Sequence, residues 1–444
     1  MPGSTKSNAP EIQGATAREI AESVESLIER GELRPGAVLP SVRSLGSQLG
    51  VSPMTVVAAY RELRQRGIVN THERRRTRVS SRPPIASRAA LPLGNDLRDL
   101  ASDNPDPAFI PELTPFLAKI PPEVHLYGEK PILPALRELA TARFEDCGVR
   151  PDALTVVSGT FDAIERILQN HLKQGDAVAV EDPGYTGVLD LVRALGLQPV
   201  GMLCDEFGPL PEELDRVLRA GARACVITPR AQNPLGAALD AERGRALAAC
   251  LRGHPEVWVI EDDHAGPITD LPYVTLTEGR DRWAVIQSVS KSIGPDLRVA
   301  VVGGDVRTIS QLEGRQLLAN GWVSFILQQT VVALWRSAEV EELVADAAAA
   351  YSARREAVKT ELAKRGIESF GRSGLNVWVP VNEEGTVLRN LMQLGWAATA
   401  GEVFRISSDP GLRVTTAGLP EAEAPQLAED ISLAINPGFT TTSR

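Results

Sequence analysis

Cysteine is scarce in this 444-residue chain. The four present, Cys147, Cys204, Cys225 and Cys250, are scattered and form no C-x-x-C pair. That argues against a zinc site or a disulfide framework and fits a reduced cytoplasm. No run of about 18 apolar residues occurs, so no membrane span is expected. The opening residues, MPGSTKSNAPEIQG, lack a basic start followed by an apolar stretch, so no secretory signal is expected either. Internal repeats and low-complexity tracts are missing too. A soluble intracellular protein with no metal is the expectation, and the length calls for two or three domains.

What is present is unevenly spread. A net charge of −10 would by itself argue against a polyanionic partner. Yet residues 1–88 hold Lys6 and thirteen arginines against eight glutamates and no aspartate, a net +6. A basic module attached to an acidic body suggests nucleic acid as the partner of the first part.

Within that basic part, Ile20, Val24, Leu27 and Ile28 form one apolar helical stripe starting near Ala15, closed by Gly31 and Pro35. Ser41 is a good N-cap for a second helix through Leu45 and Leu49, and Gly50 suits the left-handed residue after it. A third helix opens at Ser52-Pro53, buries Val56, Tyr60 and Leu63, and ends at Gly67. Ile68-Val69 and Val79 then flank an arginine-rich stretch that reads as a β-hairpin wing. This pattern is a winged helix-turn-helix for double-stranded DNA. Ser52, Met54 and Thr55 are placed to meet base edges, and Arg43 and Arg61 to hold phosphates. Arg74, Arg75, Arg76 and Arg78 on the wing suit phosphates or a minor groove. The segments Leu39 to Leu45, Val51 to Val56 and Tyr60 to Leu63 resemble the GntR family of winged-helix repressors. The wing tip Glu73-Arg74-Arg75-Arg76 departs from the glycine-rich tip of many members.

These features divide the chain into a flexible N-terminus (1–14), the winged helix-turn-helix (15–80), a linker (81–98) and a body (99–440). Pro83 and Pro84 make the linker a semi-rigid spacer. In the body, apolar runs such as Leu154–Val157, Ala177–Val180, Ala224–Ile227 and Val257–Ile260 alternate with helical stretches. That predicts an α/β fold with a mostly parallel sheet and ligands beyond the carboxyl ends of its strands. A large part at about 125–335 is followed by a small α/β part at about 340–436, with a helix from Glu341 to Arg365 and another from Pro420 to Ile435.

The polar residues fall after the strands. Ser158-Gly159-Thr160 precedes a helix and forms a candidate anion site. Tyr185 can stack on a planar ring. Lys291, flanked by Ser288 and Ser290 and followed by Arg298, can form a Schiff base with an aldehyde while Ser288 and Arg298 hold an attached phosphate. Asp262 can pair with a pyridine nitrogen, and Asn233 can donate to a phenolic oxygen. Together these roles describe pyridoxal 5'-phosphate as cofactor.

Residues 100–436 resemble the fold-type I, class I aminotransferases. The resemblance implies that Tyr127 reaches a phosphate in a partner subunit, hence a homodimer, and that Arg413 grips an amino compound's carboxylate. His264 stands where the family usually has Tyr, Phe161 where a polar residue is common, and Ala231 where the regulators often have His. With its head, the whole chain resembles the MocR subfamily of regulators. That implies a pyridoxal-phosphate-dependent transcription regulator responding to an amino compound or to the cofactor itself. The alternative is an active aminotransferase carrying a DNA-binding module.

Overall fold

The computed structural model describes residues 12–34, 36–65, 67–72, 76–79, 97–121 and 123–436. They belong to two compact units, the first of which takes in the N-terminal head.

The head is built as its sequence signals dictate. Thr16 opens the helix Ala17–Glu29 with a capping box, its hydroxyl accepting from Glu19 N–H while the Glu19 carboxylate takes backbone N–H groups in return. Ser41 caps Val42–Leu49, which stops at Gly50 in the left-handed region (φ 68°). The Ser52 hydroxyl accepts from Thr55 N–H at the start of Pro53–Gln65. Strands Val69–His72 and Arg76–Val79 pair antiparallel, with Val69 opposite Val79, and Leu39 N–H adds a bond to Thr77 O. The buried faces of the three helices and the hairpin meet in one core that includes Ile20, Leu45, Tyr60, Leu63 and Val79. Tyr60 keeps its hydroxyl satisfied by donating to Pro40 O at 2.8 Å. The wing tip, with Arg74 and Arg75, and the side chain of Arg76 lie outside the described residues.

In the body, the strand order is Ala153–Val157, Ala300–Gly304, Trp283–Ser288, Trp258–Asp263, Ala224–Ile227, Ala177–Asp182, Gln198–Asp205, Gly208–Pro209. The middle pairings are parallel, as the apolar runs predict. Ala300–Gly304 runs antiparallel to both of its neighbours. Its amino end therefore lies beside the carboxyl ends of the others, which brings Arg298 to the same edge as Lys291. Leu136, Phe144, Leu214 and Leu247, from three helices, pack on the sheet in the main core. The strands also run further than their apolar segments. Trp258–Asp263 carries Glu261, Asp262 and Asp263 inside the ladder, and Trp283–Ser288 includes Ser288. Backbone pairing continues where hydrophobicity stops.

The small part has the long helix at Ala338–Lys364, capped by Ser337, and a sheet of Asn376–Pro380, Gly411–Thr415 and Thr399–Ala400. Its last helix begins at Ala424, after a short 3-10 turn at Glu421–Glu423, rather than at Pro420. One boundary moves. Arg98, read as linker, forms a two-residue strand with Asp99 that pairs with Trp396–Ala397, and Leu100 is buried in the small part's core. Two residues are too few to show periodicity. No helix among the described residues is long and apolar enough to cross a membrane.

Losing the Tyr60 hydroxyl in Tyr60→Phe should weaken the head by about 1 kcal/mol, the net worth of one hydrogen bond. Faster amide exchange confined to the head helices would read that loss. Met54→Ala, at a side chain 68% exposed, should change head exchange by no more than about 0.5 kcal/mol.

Candidate functional site

A cavity of about 200 Å³ opens at the carboxyl ends of the body's strands. Thr160, Tyr185, Asn233, Asp262, His264, Ser288, Ser290, Lys291 and Arg298 all line it, so most of the expected set converges on one place. Strand geometry explains which acidic residues reach it. Side chains alternate along Trp258–Asp263, and the two neighbours of Asp262 are spent elsewhere. Glu261 accepts from Tyr273, Thr275 and Leu276 N–H, and Asp263 pairs with Arg230 through two 2.8 Å bonds. Of these three, Asp262 alone lines the cavity.

Its carboxylate is nearly fully buried, and Oδ1 has no hydrogen-bond partner among the described residues. Burial pushes the carboxyl up to about 6, against the pull of nearby His264, whose Nδ1 stands 3.9 Å from Oδ2. A buried acceptor of this kind requires a donor, and a protonated ring nitrogen is one. Elsewhere in the lining, the Arg298 guanidinium comes close to Gly159 (φ 96°), where a Cβ would collide with Nη2. Arg298 is itself left-handed (φ 48°), exposed, and among the described residues donates only a 3.4 Å bond to Ser158 O. A guanidinium so lightly engaged beside a glycine turn can take an anion such as a phosphate. The residues present thus fit pyridoxal 5'-phosphate at both ends. Ser288 donates to Ser290 Oγ at 3.1 Å, and Tyr185 lies tilted against Phe161, ring centroids 5.8 Å apart.

Four expected residues lie elsewhere. Ser158 and Gly159 form the turn before Thr160 without lining the cavity; Ser158 N–H donates to Asp162 at 3.0 Å, and its hydroxyl accepts from Asn320. The carboxylate of Asp162 therefore takes one backbone donor that an anion was expected to meet. Tyr127 is 91% exposed, edge-on to Trp322. Arg413 is buried behind Asn233, donating to Asn233 Oδ1 at 3.2 Å, to Ala101 O and to Thr399.

Sequence reasoning missed Asp103. Its Oδ2 accepts from Lys291 Nζ at 3.0 Å and from Asn233 Nδ2 at 2.9 Å, its Oδ1 accepts from Asn376 Nδ2 at 2.7 Å, and its carbonyl takes Lys291 as well. Asn233 thus gives its amide to Asp103 in this structure, where the sequence suggested a phenolic oxygen. Burial works to raise the Asp103 carboxyl, but Lys291 and Arg413 outweigh it and hold it below its ordinary value. The Asn104-Pro105 dipeptide signals a turn; nothing local signals the partners.

In the head, Arg43, Ser52, Met54, Arg61 and Arg78 are exposed, and Thr55 is half-buried with its hydroxyl 2.9 Å from that of Ser52. Arg78 also donates to Gly36 O at 2.9 Å.

The model of the aminotransferase class I and II family matches residues 94–431, and that of the gntR family of bacterial regulatory proteins matches residues 16–79. The vitamin B6 salvage pathway transcriptional repressor PtsJ of Salmonella typhimurium is 37% identical over 96% of this chain and 100% of its own. The pyridoxine biosynthesis transcriptional regulator PdxR of Corynebacterium glutamicum is 30% identical over 55% of each chain. Among solved structures, an archaeal alanine:glyoxylate aminotransferase superposes with a TM-score of 0.71 at 19% identity, over 77% of this chain and 91% of that one.

The raised carboxyl of Asp262 predicts a pH effect. A group whose pKa is higher folded than unfolded binds more protons in the folded state, so its stabilisation is complete below the unfolded value and is lost as pH rises through the folded one. Chemical denaturation should show such a fall between about pH 4 and about pH 7, to which Glu181 and Glu261, pushed up to about 7, also contribute, and Asp262→Asn should make it shallower below about pH 6. An unchanged slope in the variant would rule out Asp262 as a source.

Proposed function

We propose that this chain, which belongs to the GntR family of transcription regulators through its head and to the class I and II aminotransferases through its body, is a MocR-type regulator whose effector is pyridoxal 5'-phosphate itself. The observation that carries this reading is the 37% identity, along essentially the whole of both chains, to a repressor named for vitamin B6 salvage. The cavity supports it chemically. Lys291 supplies the amine that an aldehyde needs, Asp262 a buried carboxylate whose Oδ1 has no partner among the described residues, and Arg298 a lightly engaged guanidinium. When bound, the cofactor supplies an aldehyde for covalent attachment to that amine and a pyridine ring that draws electron density. Thr160, Ser288 and Ser290 are assigned to its phosphate end and Tyr185 to its ring. His264, standing near Asp262, is assigned to the same side of the ring.

The head is assigned to operator DNA, with Ser52, Met54 and Thr55 toward base edges and Arg43, Arg61 and the wing arginines toward phosphates. A homodimer is the assembly this reading implies. Tyr127 at 91% exposure, with Val124 at 82%, Leu126 at 66% and Ile326 at 58%, leaves an apolar surface suited to a second copy. Two heads then read repeated half-sites. The cytoplasm, where DNA and reduced thiols coexist, is the compartment that fits. An active aminotransferase has less support, because Asn233 and Arg413 are engaged with one another and with protein groups.

The test is DNA binding against cofactor. The affinity of the full chain for its own promoter region should change by about tenfold or more on adding pyridoxal 5'-phosphate without any amine, a coupling of ordinary allosteric size. Lys291→Ala should bind DNA, fail to retain the cofactor through gel filtration, and lose the response. A response that appears only when an amino compound is added would overturn the choice of effector.

A further inference from the structure

Asp103 arrives at the cavity on a tightly held segment. On one side Leu100 donates to Ala397 O and accepts from Thr415 N–H. On the other, Asp106 N–H donates to the Tyr351 hydroxyl, and the Asp106 carboxylate takes Arg354 at 2.8 Å. Between these anchors Asp103 adopts φ 56°, a left-handed conformation that few side chains tolerate and that Asp accepts better than most. The backbone thus aims this carboxylate into the cavity. Once there, it meets an amine, Lys291 Nζ, and two amide donors, Asn233 and Asn376. The guanidinium of Arg413 follows one hydrogen bond further on, through Asn233 Oδ1. An amine, amide donors and a guanidinium converging on one carboxylate are what a free α-amino acid's carboxylate would need in order to bind.

We propose that Asp103 is a resident carboxylate: it fills the anion position between Lys291, Asn233 and Arg413, closing the site to α-amino carboxylates and leaving it open to a phosphorylated aromatic aldehyde, which carries no such group. This rests on the pyridoxal phosphate reading and narrows it. A second carboxylate entering beside the first would set two like charges together where the Asp103 side chain is only 13% exposed. Displacing Asp103 would break three of its hydrogen bonds and force the left-handed turn to rearrange. If Lys291 turns away toward an aldehyde, Asn233 and Asn376 still hold the carboxylate in place, so the block persists in the loaded protein.

The test uses the full chain as wild type, Asp103→Asn and Asp103→Gly. Asn keeps the shape and removes the charge; Gly favours the same backbone and removes the side chain, so one serves if the other fails to fold. Thermal unfolding is followed without cofactor as L-alanine is added. The wild-type transition should stay in place, while the variants should be stabilised with half-saturation at a concentration at least about tenfold lower than any wild-type response. Equal stabilisation of the wild type, or no gain in a folded variant, overturns the proposal. In a second arm the proteins are first loaded with pyridoxal 5'-phosphate, and their absorbance is followed as L-alanine is added. The wild-type spectrum should stay fixed, and that of Asp103→Gly should move. Failure of the wild type to retain pyridoxal 5'-phosphate, with L-alanine still stabilising only the variants, sinks the cofactor reading and upholds the role of Asp103. Retention of the cofactor with a wild-type spectrum that moves does the reverse.

Discussion

Five carboxylates stand at the ends of two strands, Glu181 and Asp182 on one and Glu261, Asp262 and Asp263 on the other, all of them buried. A buried charge is tolerated only where hydrogen bonds or an opposite charge replace water. The body is organised around meeting that demand. Asp263 takes Arg230, and Glu261 takes Tyr273, Thr275 and a backbone amide. Glu181 takes Thr228 N–H and Gln232. Asp182 receives two hydroxyls and three backbone amides from Ile406–Ser408, so the small part is fastened to the sheet through one side chain. Burial nonetheless pushes Glu181 and Glu261 up to about 7. Of these five, Asp262 alone keeps a buried oxygen without a partner among the described residues. The unmet demand coincides with the cavity.

The basic residues follow the same logic from the other direction. Arg230 is committed to Asp263, and Arg413 to Asn233 and carbonyl and hydroxyl oxygens. Among the described residues Arg298 is left with a single long bond to Ser158 O. Its left-handed backbone and the missing side chain at Gly159 together hold the guanidinium at the mouth of the cavity. Such a conformation costs of order 1 kcal/mol and persists only where surrounding structure fixes it. The eleven residues between Ser288 and Ala300 carry the chain back to pair antiparallel with Trp283–Ser288, and Arg298 lies in that connection.

Much of this was legible in the sequence because it is local. Ser288, Ser290 and Lys291 lie within four residues, and the strand before them is an apolar run; the three helices of the head announce themselves by caps, stripes and glycines. The cavity's floor was not legible. Asp103 is separated by 130 residues from Asn233, 188 from Lys291 and 273 from Asn376, and no period or motif reports contacts at such distances. Strand ends were misjudged for a related reason. Hydrophobicity stops at Ile260, but ladder hydrogen bonds do not depend on side chains, and pairing with Trp283–Ser288 carries the strand through Asp263. The same gap hid Arg98–Asp99, a strand made by its partner rather than by its own pattern.

A regulator needs more than a binding site, because a ligand shifts an equilibrium only by the difference in its affinity for the two states. The contacts of Asp103 show where such a difference can be registered. Lys291 belongs to the large sheet's edge, Asn376 to the small part, and Asp103 to the segment pinned against the small part by Leu100 and Asp106. In this structure one carboxylate ties all three together. A ligand that claims the Lys291 amine removes one of the two ties to the large part and leaves those through Asn233 and Asn376 intact. The free energy of that exchange is therefore expressed in how firmly the segment from Arg98 to Asp106 and the small part are held to the sheet. This is a difference between states, and so a usable signal, even for a ligand that never touches that segment.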